Sequence, residues 1–226
     1  MSSHPATLSE SGSSRKAYIL LTITTLCWGC NAVFSRLAVG EVSPMTLVTL
    51  RWITVMILVF IIARKHVKRD WHILKPRLPF IMAIGAIGFT GFNSLFYVAA
   101  HTTTAVNIGI IQGSIPVFVL LAAFLLYRTT VGFSQMIGVV LTIVGVIMVG
   151  SGGSLERLTG LQFNFGDLLM LLACLLYAAY TLGLRNKPNV AAMSLFAVLA
   201  FSAFLTSIPL VAGEIALGQF QAPTLT

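Results

Sequence analysis

One full charge lies well inside an apolar run of this chain. Arg51 sits within Met45 to Ala63, about six residues or roughly 9 Å in from the outer end of that run at a helical rise of about 1.5 Å per residue. A charge at such depth in hydrocarbon costs several kcal/mol unless it snorkels or finds partners, so intramembrane arginines face a cavity or a bundle interior. Two uses fit. The guanidinium fork can anchor the carboxylate or other anionic group of a substrate, or it can be a structural group held by helix-end carbonyls, by Glu41 or by Asp167 near the same surface.

A second set of residues is polar or aromatic and spaced for helical faces. Trp28 and Asn31 pair at i, i+3, Asn93 and Tyr97 at i, i+4, and Tyr177 and Tyr180 at i, i+3, while Asn107 and Ser114 fall on one stripe. Amides in lipid need partners, so the set is expected to line a central cavity suited to a small zwitterion or an aromatic metabolite. Hydrogen bonding between helices is the alternative use of each group. Pro116 interrupts its segment and frees carbonyls around Gln112 and Gly113, which makes it a candidate gate or a structural kink.

Other spacings carry less. Cys27-Trp28-Gly29-Cys30 is a C-x-x-C with no βαβ pattern around it and no second ligand pair, so these thiols and Cys174 are read as packing groups. Ser114 has no nucleophile elbow, and His101 stands at a different membrane depth, which argues against a serine hydrolase. Gly85, Gly88 and Gly91 follow no strand, so they mark close helix contact and not a nucleotide fingerprint. No catalytic residue, metal site or cofactor is expected, and the chain is not read as an enzyme.

The elements that must position these groups are long apolar segments. Seven follow residue 16: Ala17 to Ser35, Met45 to Ala63, Pro79 to Ala99, Ala105 to Leu126, Gly132 to Gly150, Asp167 to Leu184 and Ala191 to Ala212. Each is near the roughly 20 residues that a helix needs to cross a hydrocarbon core. Only 9% of residues are charged, against about 25% in a soluble domain, so the chain reads as an all-α integral membrane protein in a lipid bilayer.

The net charge of +8 would suit a nucleic-acid partner, but its placement argues for none. Arg15, Lys16, the cluster from Arg64 to Arg77, Arg128, Arg185 and Lys187 all fall on one side of the segments, and Arg36 and Arg157 on the other. This asymmetry predicts a cytoplasmic N-terminus in a multi-pass protein of the plasma (inner) membrane. Residues 1–16 are Ser-rich and read as a disordered cytoplasmic tail. Trp71 is expected at headgroup level in a basic link from Arg64 to Leu78.

Laid on itself so that Trp28 falls on Tyr177, the chain also places Gly29 on Ala178, Asn31 on Tyr180 and Arg36 on Arg185. Five segments precede the second copy, so that copy enters the membrane in the opposite direction, as in inverted-repeat carriers.

In several of these residues the chain resembles the EamA-type members of the drug/metabolite transporter superfamily. The likeness rests on Trp28-Gly29-x-Asn31, Pro44 followed by Arg51, Ala105 to Ile111 running into Ser114-Ile115-Pro116, Gln135-x-x-Gly138 with Gly145, and Gly166-Asp167 leading to Tyr177-Ala178-x-Tyr180-Thr181 and Arg185. It covers about residues 17 to 213. The resemblance implies a secondary transporter of small metabolites such as amino acids, built as an inverted-repeat bundle of ten helices. Residues 17–150 would form the first five-helix repeat, 151–165 an outer linker, and 166–226 the start of a second repeat. Seven of the expected ten transmembrane helices are thus present, and the partners implied are a small-molecule substrate and either an oligomer or missing C-terminal helices. Leu126-Tyr127-Arg128-Thr129 departs from the family's acidic turn at that place. No carboxylate lies deep in a segment, which favours facilitated transport or exchange. A passive channel is the nearest alternative, with a seven-helix receptor if the chain is complete.

Overall fold

The computed structural model describes residues 7–130, 132–151 and 164–223. Most of the expected linker 151–165 lies outside the described residues. The helices are α1 (Thr7–Leu37), α2 (Pro44–Leu74), α3 (Leu78–Gly85), α4 (Phe92–Thr102), α5 (Ala105–Gln112), α6 (Ile115–Tyr127), α7 (Phe133–Ser151), α8 (Phe165–Gly183) and α9 (Ala192–Ala216). No strand occurs among the described residues. Five apolar helical stretches are long enough to cross a membrane. One of them, Pro44–Thr102, doubles back, since Arg51 on α2 hydrogen-bonds to Asn93 on α4. The protein is a multi-pass, all-α integral membrane protein.

Three boundaries differ from those expected, each for a local reason. The helix of α1 begins at Thr7, so Thr7 to Lys16, expected as disordered tail, extends the apolar span, as helix propagation is easier than nucleation. The basic link from Arg64 is helical as far as Leu74, because Lys and Arg are good helix formers and no Gly or Pro intervenes before Pro76. Lys75–Arg77 then turn the chain as a short 3₁₀ element. The third segment is not one α-helix either: Ala86–Gly91 adopts a π-helical turn between α3 and α4, a distortion often found at functional sites.

The glycines here do allow close contact, as their spacing suggests. A Cβ at Gly88 would stand 2.2 Å from the ring of Tyr180, and one at Gly85 would stand 3.1 Å from the Leu199 carbonyl oxygen. In the fourth segment the chain breaks at Gly113–Ser114, and Pro116 falls in the first turn of α6, where its missing N–H is harmless. It therefore opens a helix and does not kink a continuous one.

Helix α8 lies at the centre of the bundle. Met170, Ala173 and Cys174 are fully buried with Phe96, Ala99, Ala100 and Ile108 of α4 and α5. Cys174 is the packing group expected of it, whereas Cys27 and Cys30 lie on the exposed surface of α1.

Helices α2 and α9 cap one another. Glu214, near the end of α9, accepts from Ser43 Oγ at 2.6 Å and from the backbone N–H groups of Met45 and Thr46 at 3.1 Å, the opening of α2. At the opposite membrane face, Asp70 near the end of α2 accepts from Ala191 N at 3.0 Å and Ser194 Oγ at 2.7 Å, the opening of α9. Each carboxylate thus answers the unpaired donors and positive end of the other helix. The Ser194 hydroxyl, then Arg69 and the Ala191 amide, hold the Asp70 carboxyl at about 2, below the usual 3.8. A depressed carboxylate contributes its stability above the unfolded value and loses it as pH falls through the folded one, so this cap weakens only between about pH 4 and 2.

The charge asymmetry is testable on the extension of α2, where Lys68 is exposed. In a background without other cysteines, Lys68→Cys is expected to resist an impermeant maleimide in intact cells and to label after permeabilisation. Labelling of intact cells would reverse the orientation.

Candidate functional site

Arg51 projects from α2 about 10 Å beyond the start of that helix and meets only neutral acceptors among the described residues. Its Nη1 donates to Asn93 Oδ1 and to Tyr97 Oη, both at 3.0 Å, and more weakly to Asn31 Oδ1 at 3.4 Å. Tyr97 Oη in turn donates to Asn31 Oδ1 at 3.2 Å, and Asn93 Nδ2 donates to the Phe89 carbonyl at 2.6 Å. That carbonyl belongs to the π-helical turn, which explains how the irregular backbone helps to orient the amide. Helices α1, α2 and α4 are joined here through one guanidinium. Its charge is stabilised by dipoles but not neutralised.

The group opens on a cavity of about 400 Å³ lined by Trp28, Asn31, Arg51, Trp52, Asn93, Gln112 and Tyr177, together with Phe89, Phe92 and Phe196. Trp28 and Tyr177 meet edge to face, their centroids 5.8 Å apart. Trp52 stacks on Phe89 at 4.9 Å, and its indole N–H is buried without a partner. A buried donor with no acceptor costs on the order of 1–3 kcal/mol. Beside a cavity, it invites an acceptor from a ligand.

The residues expected to line a cavity are only partly brought together. Trp28, Asn31, Arg51, Asn93 and Tyr177 line it, and Tyr97 stands behind them with its hydroxyl on Arg51. Tyr180 does not: its ring packs under Gly88 and joins a cluster with Leu74, Ile81 and Leu199. Ser114 Oγ turns back to the Ile111 carbonyl, as a hydroxyl does at a helix break. Asn107 lies in the first turn of α5, donating to both oxygens of Asp167 at 3.2 Å. Pro116 is adjacent to Ile115, a wall residue, but is not itself a wall residue. Trp52, Phe89, Phe92, Phe196 and Gln112 line the cavity without having stood out in the sequence. Only the i, i+3 pair Phe89 and Phe92, flanking the Asn93 face, was a usable signal.

Asp167 is not a partner of Arg51. It is buried at the start of α8, where it accepts from the Thr103 hydroxyl, from Asn107, and from Asn164 N at 2.9 Å, while Asn164 Oδ1 accepts from Asp167 N to complete a capping box. This ties the turn between α4 and α5 to α8. Asp167→Ala leaves those buried donors without acceptors and is expected to cost about 2–4 kcal/mol. A thermal-unfolding midpoint in detergent that equals wild type would exclude that role. Arg36 is a comparable staple, with Nη1 on the Ala100 carbonyl at 2.6 Å.

Comparison with known proteins agrees with this architecture. Residues 15–151 match the EamA-like transporter family. An uncharacterized transporter YyaM of Bacillus subtilis is 27% identical over 72% of this chain and 53% of its own length. An uncharacterized transporter of Archaeoglobus fulgidus is 28% identical over 74% of this chain and 56% of its own. A second Bacillus subtilis protein, uncharacterized transporter YetK, is 21% identical over 92% of this chain and 64% of its own. The chain thus spans between half and two thirds of the length of these relatives. No solved structure matches it.

Proposed function

Because the chain belongs to the EamA-like transporter family, we propose that it serves in membrane transport, that the Arg51 cavity is its substrate site and that the substrate is a small carboxylate-bearing metabolite such as an amino acid. The observation that carries this reading is a guanidinium bonded, among the described residues, only to the neutral oxygens of Asn31, Asn93 and Tyr97. An anion entering the cavity supplies the missing countercharge. The orphan N–H of Trp52 gives a second donor, and the rings of Trp28, Phe92 and Tyr177 give an apolar wall for the rest of the molecule.

Movement of substrate follows from alternating access between two inverted repeats in the plasma membrane, with the N-terminus in the cytoplasm. Two features support the repeat. Trp28 and Tyr177, which fall on each other when the chain is laid on itself, meet across the cavity. Helices α2 and α9, counterparts in the same alignment, cap each other in opposite senses. The carrier exports or exchanges its substrate without a deep carboxylate to relay protons. Reconstituted as a version extended by about three spans, the protein is expected to show saturable uptake and counterflow of a labelled amino acid. Competition should come from free carboxylates and not from their amides. Ion current without saturation would favour a passive channel instead.

A further inference from the structure

A second concavity, of about 540 Å³, lies on the outside of the bundle where α2, α3 and α9 meet. Its walls are apolar, with Met56, Phe60 and Val67 from α2, Met82 from α3 and Phe201 from α9. At one end stand Arg64, Lys68 and Trp71. Both cations are exposed, and Trp71 is 45% exposed. Among the described residues that line it there is no acidic side chain. The neighbouring carboxylate, Asp70, is engaged by Arg69, Ala191 and Ser194.

The dimensions of this groove are those of one lipid leaflet. From Met56 to Trp71 the axis of α2 advances about 22 Å, half of a bilayer of about 40–45 Å including headgroups. With Trp71 at the headgroup level, Lys68 and Arg64 fall at phosphate depth and at the edge of the hydrocarbon, and the apolar walls run on to the midplane. Arg64 and Lys68 stand at i, i+4 on one helical face, so one phosphate can meet both.

We propose that this groove binds a single anionic phospholipid of the basic-face leaflet, its phosphate held between Arg64 and Lys68 and one acyl chain lying along Phe60, Val67 and Phe201. The charge pattern selects the headgroup, and the length of the apolar walls selects a lipid over a soluble anion. The site is separate from the Arg51 cavity and does not depend on its assignment.

The test is native mass spectrometry of the full chain released from vesicles of equal phosphatidylglycerol and phosphatidylcholine. Wild type is expected to retain one phosphatidylglycerol per monomer. Arg64→Gln with Lys68→Gln should lower that retention about tenfold to thirtyfold, since each cation near an anionic surface contributes comparably. Lys75→Gln with Arg77→Gln, the same change of charge outside the groove, should retain it. Val67→Trp should displace the lipid with both cations present. Equal retention by wild type and the Arg64 and Lys68 variant would overturn the site, and an equal fall in the control pair would reduce it to diffuse attraction. A lipid-free dimer would assign the groove to a second copy, and a lipid-free monomer would leave it to further helices of a longer chain; either overturns the proposal.

Discussion

Arg51→Ala is expected to abolish saturable transport of an anionic or zwitterionic substrate while leaving membrane insertion intact. The guanidinium contributes charge-assisted hydrogen bonds of about 1.5–3 kcal/mol each, and at about 1.4 kcal/mol per tenfold the loss of one or two lowers apparent affinity by at least about tenfold to a hundredfold. Insertion should survive because the remaining partners can satisfy one another: Tyr97 already donates to Asn31, and Asn93 to the Phe89 carbonyl. Arg51→Lys should rescue only in part, since an ammonium keeps the charge but cannot reach Asn93, Tyr97 and a carboxylate with one planar fork. Flux measured in proteoliposomes of the extended chain with matched protein content decides the matter. Wild-type transport by Arg51→Ala would remove the anchor role.

The second large effect concerns chain length. The 226 residues reconstituted alone are expected to show no saturable flux, and a version extended by about three spans is expected to show it and to unfold at a higher temperature. In a two-repeat carrier the substrate lies between repeats, which rock about it. Here the cavity takes its walls from α1, α2, α4, α5 and α6 of the first repeat and from α8 and α9 of the second, and α1 keeps large apolar groups such as Leu26 and Phe34 exposed at 64% and 67%. Polar cavity groups such as Asn31 and Arg51 would then meet lipid, where an unsatisfied group is costly. Saturable flux from the short chain, with no oligomer by crosslinking, would show that the ten-helix inference is mistaken.

How far the sequence disclosed the site depends on how each residue acts. Arg51 was legible because a charge in hydrocarbon must be accommodated whatever the fold. Asn31, Asn93 and Tyr97 were legible as polar groups at helical spacing, though nothing local says that one guanidinium joins all three. Trp52 was not, since its ring is apolar in any count and its unpaired N–H exists only in three dimensions. Asn107 and Ser114 share a stripe in sequence, yet the break at Gly113–Ser114 rotates the helix beyond it and sends one side chain to Asp167 and the other to its own backbone. The π-helical turn left no trace in periodicity beyond three glycines. Long-range acid caps were invisible as well: Glu214 and Asp70 look like ordinary charges near segment ends.

Those caps also set an order of events during synthesis. Glu214 and Ser43 are 171 positions apart, so at about 5–20 residues per second the ribosome supplies the carboxylate on the order of ten seconds or more after α2 has emerged. For that interval the first turn of α2 has its amides answered only by water or headgroups, and the helix is held through Arg51 and its partners on α1 and α4. Arrival of α9 secures α2 at both membrane faces together, because the same docking brings Ser194 to Asp70. Both ends of the helix that carries Arg51 are therefore tied down late, by a helix that the nascent chain has yet to make.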